Sequence, residues 1–437
     1  MWKNSKLAVL LAIVLSASMW FYFQQVLIAF QTADAAAHGR PRGTLSDLYP
    51  RWLGSRELIL HGRDPYSAQI TREIQTGYYG RPIDPSRPDD PKDEQRFAYP
   101  PYVAFLLAPF AKLPFATVRI IFMWLLAFIT GISVLLWLRV LRWKPSPAIT
   151  AVLLLMAVNS LPSIQGIKLQ QLSLLVGGLI AICAALLSAG HLFLAGVVLA
   201  LATIKPQITL LPVLWLIVWT VSEWRERQRF LWGFGLALSL LLAASEYVLP
   251  GWIPKFLAGL VAYQRYTGGV SQIGVVASPL GGVLLAGFAI AAAVVVCWRL
   301  RHVPAGSPLF GVAFAFVLTI TVLIVGFIAP YNQVMLFPAL LLILRSWSEL
   351  WSRNRLTRLI CLIAAVLVLW PWIVSLALML AFPFVPQTAL RRQWPVPLWS
   401  SIGIPVIILP LMFTVVSDAW RSARVNLTCL AARGHRG

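Results

Sequence analysis

The chain has 437 residues, of which 59% are hydrophobic and 12% charged, and its mean hydropathy is +0.78. Soluble domains carry about 25% charged residues, so this composition excludes an ordinary globular protein and indicates a polytopic membrane protein. The formal charge of +21 does not indicate a nucleic-acid partner. The Lys and Arg residues are scattered in short loops between apolar runs and form no basic, aromatic face on a polar domain.

Lys3 and Lys6 precede an apolar run that reaches about Phe30 and carries Trp20, Tyr22 and Gln24. That run is too long for the apolar region of a signal peptide, so an uncleaved first helix is expected. A bilayer is crossed by about 20 apolar residues at 1.5 Å each. On this measure spans are expected near 7–30, 115–141, 147–163, 171–189, 191–204, 207–222, 230–249, 281–300, 308–329, 332–346, 359–381 and 399–417. The expected fold is an all-α, polytopic transmembrane helix bundle of about twelve spans, forming one domain over 1–437 with no internal repeat.

The basic residues give the orientation. With the N-terminus cytoplasmic, half of the 36 Lys and Arg residues fall in cytoplasmic turns. These include the clusters Arg139 to Lys144, Arg225 to Arg229, Arg299 with Arg301, Arg345 to Arg358, and the basic tail at 418–437. The long first loop, 31–114, then lies outside, where its basic residues are offset by most of the chain's acids. Polar turns around Gln165 to Gln171, Lys205 to Gln207, Pro250 to Pro279, Pro330 to Gln333 and Pro383 to Pro397 gather on the same face. No Walker A or GxGxxG motif is present to bind a nucleotide, so group transfer on that face would draw on a lipid-linked donor.

Within the outer loop, Ser55 to Gly62 has a capping serine and a terminal glycine, the signals of a short surface helix. Tyr78 to Gln95 is rich in Pro, Asp and Arg and is expected to be a mobile lid or disordered insert. The apolar run Tyr99 to Pro114 is too short to span and is bounded by prolines, so an interfacial helix is expected. The four cysteines form no CxxC pair, and the five histidines form no ligand pattern.

Several stretches carry a resemblance. DLYPRW and HGRDPY lie in the first loop, followed by FAYPPYVAFLLAPFAKLP. Further on come QQLSLLVGGLIAICAALLSAG, HLFLAGVVLALATIKPQITLLP and IAPYNQ. In order and spacing the chain resembles the GT-C class of integral membrane glycosyltransferases, and within it glycosyltransferase family 87, bacterial mannosyltransferases dependent on polyprenyl-phosphate mannose. It departs where relatives read Gly-Gln followed by Asn, since here Gln170, Gln171 and Ser173 stand. The resemblance implies a bacterial inner-membrane enzyme that moves a hexose, mannose above all, from a polyprenyl-phosphate donor to a lipid or glycan hydroxyl. The β-linked donor would invert to an α product.

Each candidate residue also has a structural alternative. Asp47 is the candidate general base, since an inverting transfer needs one carboxylate to take the acceptor's proton. It could equally cap a helix or pair with Arg51 at i+4. Lys205 interrupts an apolar run just before Pro206 and would face the donor phosphate, or else snorkel. Arg51 and Arg63 would clamp the phosphate or order the loop's carboxylates. Asp64, Tyr66, Tyr99, Gln171 and Asn332 are candidates for substrate contact. Against this, Asp64 suits a turn, Gln171 and Asn332 suit helix caps, and the tyrosines with Tyr49 and Trp52 suit the interfacial aromatic belt. Glu246 is a candidate partner for Lys255 or a further acid of the cavity. No protein metal site is expected, although the carboxylates of the loop leave room for a divalent ion, Mg or Mn. The rival functions are a transporter or flippase of lipid-linked material and a non-catalytic assembly factor, but the acids gather in one loop and not at a membrane midplane.

Overall fold

The computed structural model describes residues 5–39, 46–267, 279–325 and 329–434, and among these no strand occurs. Lys3, Arg40, Arg42, residues 271–278, Ile328, His435 and Arg436 lie outside them, as do the side chains of Arg424, Cys429 and Arg433. The first helix, α1, runs without a break over Ser5–Ala37 and contains a π-helical stretch at Tyr22–Ile28. The outer loop holds α2 (Leu48–His61), α3 (Ala68–Tyr79) and the short α4 (Val103–Leu107). Then follow α5 (Phe115–Val140), α6 (Pro147–Val158), α7 (Leu161–Leu169), α8 (Leu172–Ser188), α9 (Leu192–Ala202) and α10 (Pro206–Ser222). The remainder comprises α11 (Trp224–Val248), α12 (Trp252–Thr267), α13 (Pro279–Arg299), α14 (Pro308–Ile324), α15 (Phe337–Arg345), α16 (Trp347–Arg353), α17 (Arg355–Ala381), α18 (Gln387–Arg392) and α19 (Gly403–Gly434).

Within the described residues the expected apolar segments fall on helices, but the helix lengths are less even than those expected. Among the described residues, 6 helices are long and apolar enough to cross a membrane, or up to 8 if each of two bent pairs is one span. The segment expected to cross at 147–163 is one of these pairs, because α6 and α7 meet at 52°. Ser160 accepts from the Ser163 N–H and Pro162 stands in the first turn of α7, so a new helix starts there. The other bend is 65°, between the segment Pro330–Arg345 and α16. α8, α10 and α14 have 17 residues and α9 has 11.

α14 is the axis of the bundle. Every residue from Phe310 to Leu323 is buried, as expected of a helix that is apolar all round. Its two interior threonines satisfy themselves, with the Thr319 and Thr321 hydroxyls each donating to the carbonyl four residues back at 2.8 Å. Around it α5, α8, α9, α10 and α19 form one continuous core. A smaller core joins Tyr22, Phe23 and Val26 of α1 to Ile164 of α7 and Trp372 of α17.

α9 and α11 cross at backbone contact. A Cβ at Gly196 would fall on the Phe230 carbonyl oxygen, and one at Gly233 on the Phe193 carbonyl oxygen. Small residues allow this approach, which is how helices gain packing where no hydrophobic drive acts between them. At the end of these helices Arg227 is buried. Its guanidinium lies 4.1 Å from the Trp219 ring centre and donates to the carbonyls of Trp219 and Arg301, both at 2.7 Å. That clamp ties α10 and α11 to the turn between α13 and α14.

The outer loop is better ordered than its composition suggests. α2 begins at Leu48, so Ser55 is interior and does not cap, whereas Gly62 ends the helix in the left-handed region at φ 64°. Tyr78 to Gln95, expected to be mobile, is pinned at several points. Arg81 pairs with Asp90, the Tyr79 hydroxyl donates to the Asp93 carbonyl at 2.7 Å, and the Gln75 amide donates to the Glu94 carbonyl at 3.0 Å. The expectation failed because Pro, Asp and Arg satisfied by each other read in sequence like Pro, Asp and Arg in water. The run at Tyr99 to Pro114 is indeed no span. α4 and a 3-10 turn at Ala108–Phe110 follow the two prolines, with Val103, Ala104 and Leu107 buried against α2.

The crossing of α9 and α11 yields a graded prediction. Gly196→Leu or Gly233→Leu forces the helices apart and costs about 3 kcal/mol or more, read as loss of the monodisperse peak and a lowered Tm in detergent. Gly235→Ala on the same helix meets no atom within 4 Å. It should hold or raise Tm, because alanine is favoured over glycine in a helix by about 0.5–1 kcal/mol.

Candidate active site

Asp47 stands at the start of α2, and Ser46 supplies the capping that this position needs. The Ser46 hydroxyl accepts from the Leu48 N–H at 3.0 Å and donates to the Leu169 carbonyl at 3.1 Å. The Asp47 N–H also donates to the Leu169 carbonyl, at 2.9 Å. The backbone of the outer loop is thus stitched to the end of α7, and the Asp47 carboxylate makes no cap of its own. Arg51 donates to the Asp47 carbonyl oxygen at 2.6 Å and lies 4.8 Å from the centre of the Tyr99 ring.

The turn after α7 aims the next residue at that carboxylate. Gln170 takes a left-handed conformation with φ 48°, which costs a non-glycine residue about 1–2 kcal/mol. Its amide offsets this by donating to the Ile167 and Lys168 carbonyls at 2.6 and 3.0 Å. Gln171 stands before α8 with no capping bond, so its side chain is available to reach outward. Its Nε2 donates to Asp47 Oδ2, and its Oε1 accepts from Lys205 Nζ at 3.0 Å.

Lys205 arrives from the turn between α9 and α10, held there by Pro206 at the helix start. It is 6% exposed, and it donates a second bond to Ser173 Oγ at 2.6 Å. Ser173 in turn donates to Asn332 Oδ1 at 2.8 Å. The Tyr331 ring centre lies 5.2 Å from Nζ and that of Tyr99 lies 6.0 Å away. The ammonium therefore faces two aromatic rings and two neutral oxygens. Burial, with the charge of Arg51 adding to it, pushes Lys205 down from its ordinary 10.5 to about 7, against the opposing effect of the Asp47 carboxylate. Burial also raises the Tyr99 phenol to about 12, so it remains neutral.

Asp47, Arg51, Tyr99, Gln171, Lys205 and Asn332 are brought together from five separate parts of the chain. Asp64 and Arg63 are placed elsewhere in the loop. Arg63 is shared between Glu57 and Glu73, and Asp64 accepts from the Tyr66 N–H at 2.9 Å while pairing with Lys255 at 2.9 Å. Lys255 is accordingly the partner of Asp64 and not of Glu246, which accepts from the Gly251 N–H at 2.8 Å. Tyr66 supports the site from behind, since its hydroxyl donates to the Tyr99 carbonyl at 2.5 Å. Ser173 and Tyr331 were not singled out as site residues from the sequence. The signal for Tyr331 was its place beside Asn332 in the polar IAPYNQ stretch. Among the described residues no three His, Cys, Asp or Glu side chains converge as a metal site.

The depressed lysine has a measurable consequence. Between about pH 7 and 10.5 the unfolded chain holds a proton on Lys205 that the folded chain lacks, so this residue makes folding more favourable as pH rises across that window. Below about pH 7 the buried charge is present in the fold and its desolvation cost is fully felt. The Tm of Lys205→Met relative to the unsubstituted protein should therefore be highest near pH 6 and decline toward pH 9. A difference independent of pH would show that Lys205 titrates like an exposed lysine.

The model of glycosyltransferase family 87 matches residues 97–327, a stretch that holds Tyr99, Gln171, Ser173 and Lys205. No curated protein matches the chain. With more than half of its length matched and its apolar helices arranged for several membrane crossings, the chain belongs to glycosyltransferase family 87 and is a membrane glycosyltransferase.

Proposed function

We propose that the protein transfers a hexosyl group, mannosyl in the first instance, from a polyprenyl-phosphate donor to a hydroxyl of a lipid or glycan at the outer face of the membrane. The supporting observation is that one amide, Gln171, lies between a half-buried carboxylate and a buried ammonium. Two hydrogen bonds and the width of an amide keep the two charges within about 8 Å. That is the scale on which an inverting transfer places its base and its leaving group on opposite faces of one sugar.

In this reading Gln171 holds Asp47 Oδ2 and leaves Oδ1 for the acceptor. The acceptor hydroxyl gives its proton to Oδ1 as its oxygen bonds to the anomeric carbon. The bond from that carbon to the phosphate oxygen breaks, and the electron pair leaves with the polyprenyl phosphate. The anionic donor phosphate favours the protonated form of Lys205, and the ammonium stabilises the growing phosphate charge, which is worth most in a site shielded from water. Arg51, held against Tyr99 and the Asp47 carbonyl, adds positive charge on the same side. Arg63 and Asp64 hold the loop in shape, and Tyr99 and Asn332 border the sugar. If a divalent ion takes part, Asp47 and neutral oxygens would supply too few ligands alone, so donor phosphate oxygens would complete its shell.

The orientation rests on the basic clusters. The further apolar helices, shorter than a full crossing, would complete a GT-C-like bundle of about twelve segments, sheltered from lipid by their neighbours.

Purified protein with labelled polyprenyl-phosphate sugars and lipid acceptors tests the assignment. Asp47→Asn keeps the shape of the site and removes the base. It should lower kcat by about 10²- to 10⁴-fold while leaving donor binding nearly unchanged. Lys205→Met should raise the donor KM as well as lower kcat. A folded Asp47→Asn variant that turns over normally removes Asp47 from the mechanism. In right-side-out vesicles, product that an impermeant glycosidase cannot reach before lysis overturns the orientation.

A further inference from the structure

α13 and α19 leave a slot between them, away from the site. α14 runs from Pro308 to Ile324, and the chain beyond it reaches Asn332 beside Ser173. Arg299, joined to Pro308 by a short turn, therefore lies at the end of the bundle opposite Asp47. The slot has a volume of about 390 Å³, within the range that holds small ligands. Phe288, Ala292 and Val295 line one wall, and Phe413 and Trp420 line the other.

Its shape is that of a chain-binding groove. Phe288 meets Phe413 across it, with ring centres 6.4 Å apart, and Phe413 is itself braced edge-on by Phe316 of the buried axis at 4.9 Å. From Phe288 to Arg299 the groove follows α13 for about 16 Å at helical rise. Phe288 and Val295, which line it, are themselves exposed, so the groove opens toward lipid. Water finds few polar partners along such walls.

The open end carries charge. Arg299 borders the slot, is exposed, and has no carboxylate partner among the described residues. Asp418 on α19 is already paired with Arg353 at 2.7 Å. The Arg301 guanidinium is occupied too, 4.0 Å from the Trp298 ring centre. A hydrophobic groove that ends at an unmatched cation is complementary to one acyl chain and the phosphate above it.

We propose that this slot binds an anionic glycerophospholipid, with one acyl chain between α13 and α19 and the phosphate on Arg299. Its mouth lies a bundle's length from Asp47, so a donor held here could not present its sugar to the site. The proposal is independent of the transferase mechanism.

Delipidated full-length protein, offered phosphatidylglycerol or phosphatidylcholine and examined by native mass spectrometry, provides the test. The unsubstituted protein should retain phosphatidylglycerol about fivefold better, the worth of one cation near an anionic headgroup. Arg299→Gln, on an exposed residue, should equalise the two lipids without loss of Tm. Ala292→Trp should reduce retention of both by filling the groove. Undiminished retention by Ala292→Trp, or a headgroup preference that survives in Arg299→Gln, contradicts the proposal. Displacement of bound phosphatidylglycerol by polyprenyl phosphate at equal concentration also contradicts it, since the groove would then belong to the donor's chain.

Discussion

A buried ammonium is the constraint around which the site is built. Lys205 is shielded from water in a turn between two apolar helices, where an unpaired charge costs several kcal/mol. The fold answers with the Gln171 and Ser173 oxygens, two ring faces, and a carboxylate that it reaches only through the Gln171 amide. A direct pair of Lys205 with Asp47 would satisfy both charges and leave little for a substrate. Interposing a neutral amide keeps the carboxylate and the ammonium apart and still partnered. The same separation is what a base and a leaving-group stabiliser require.

Other features serve that arrangement. Ser46 takes the capping role and frees the Asp47 carboxylate. The left-handed Gln170 turns the chain so that Gln171 points outward from the start of α8. Tyr66 holds the Tyr99 carbonyl, and the Arg63, Glu57 and Glu73 cluster holds the loop that presents Asp47. At the other end, Arg227 ties two helices to the turn between α13 and α14 through carbonyl oxygens, so both ends of the bundle are fastened by polar groups while α14 packs apolar in between.

Much of this was legible in the residues. The polar first loop, the non-spanning run after Tyr99 and the single lysine at Lys205 stand out against an apolar background, because a charged or proline-bounded interruption in a hydrophobic run is costly. Ser55 illustrates why helix starts were harder. Ser46, Asp47 and Ser55 all carry capping side chains, and only the contact with Leu169 decides among them. α3 was missed because its polar surface reads as loop, although Ile70 and Ile74 are fully buried. The bend between α6 and α7 was hidden because Ser160 and Pro162 sit inside a run that scores as one span. The bond between Asp47 and Gln171 joins residues 124 positions apart, and no local pattern announces it.

The stereochemistry of the product tests the central claim most directly. A base and a leaving-group stabiliser on opposite faces of one anomeric carbon impose a single displacement, so the new linkage must have the configuration opposite to that of the donor. NMR of the linkage formed from a β-linked polyprenyl-phosphate sugar should show an α anomer from the first turnover. A β product would require two displacements through a covalent intermediate, and would contradict the assignment of Asp47 as a base.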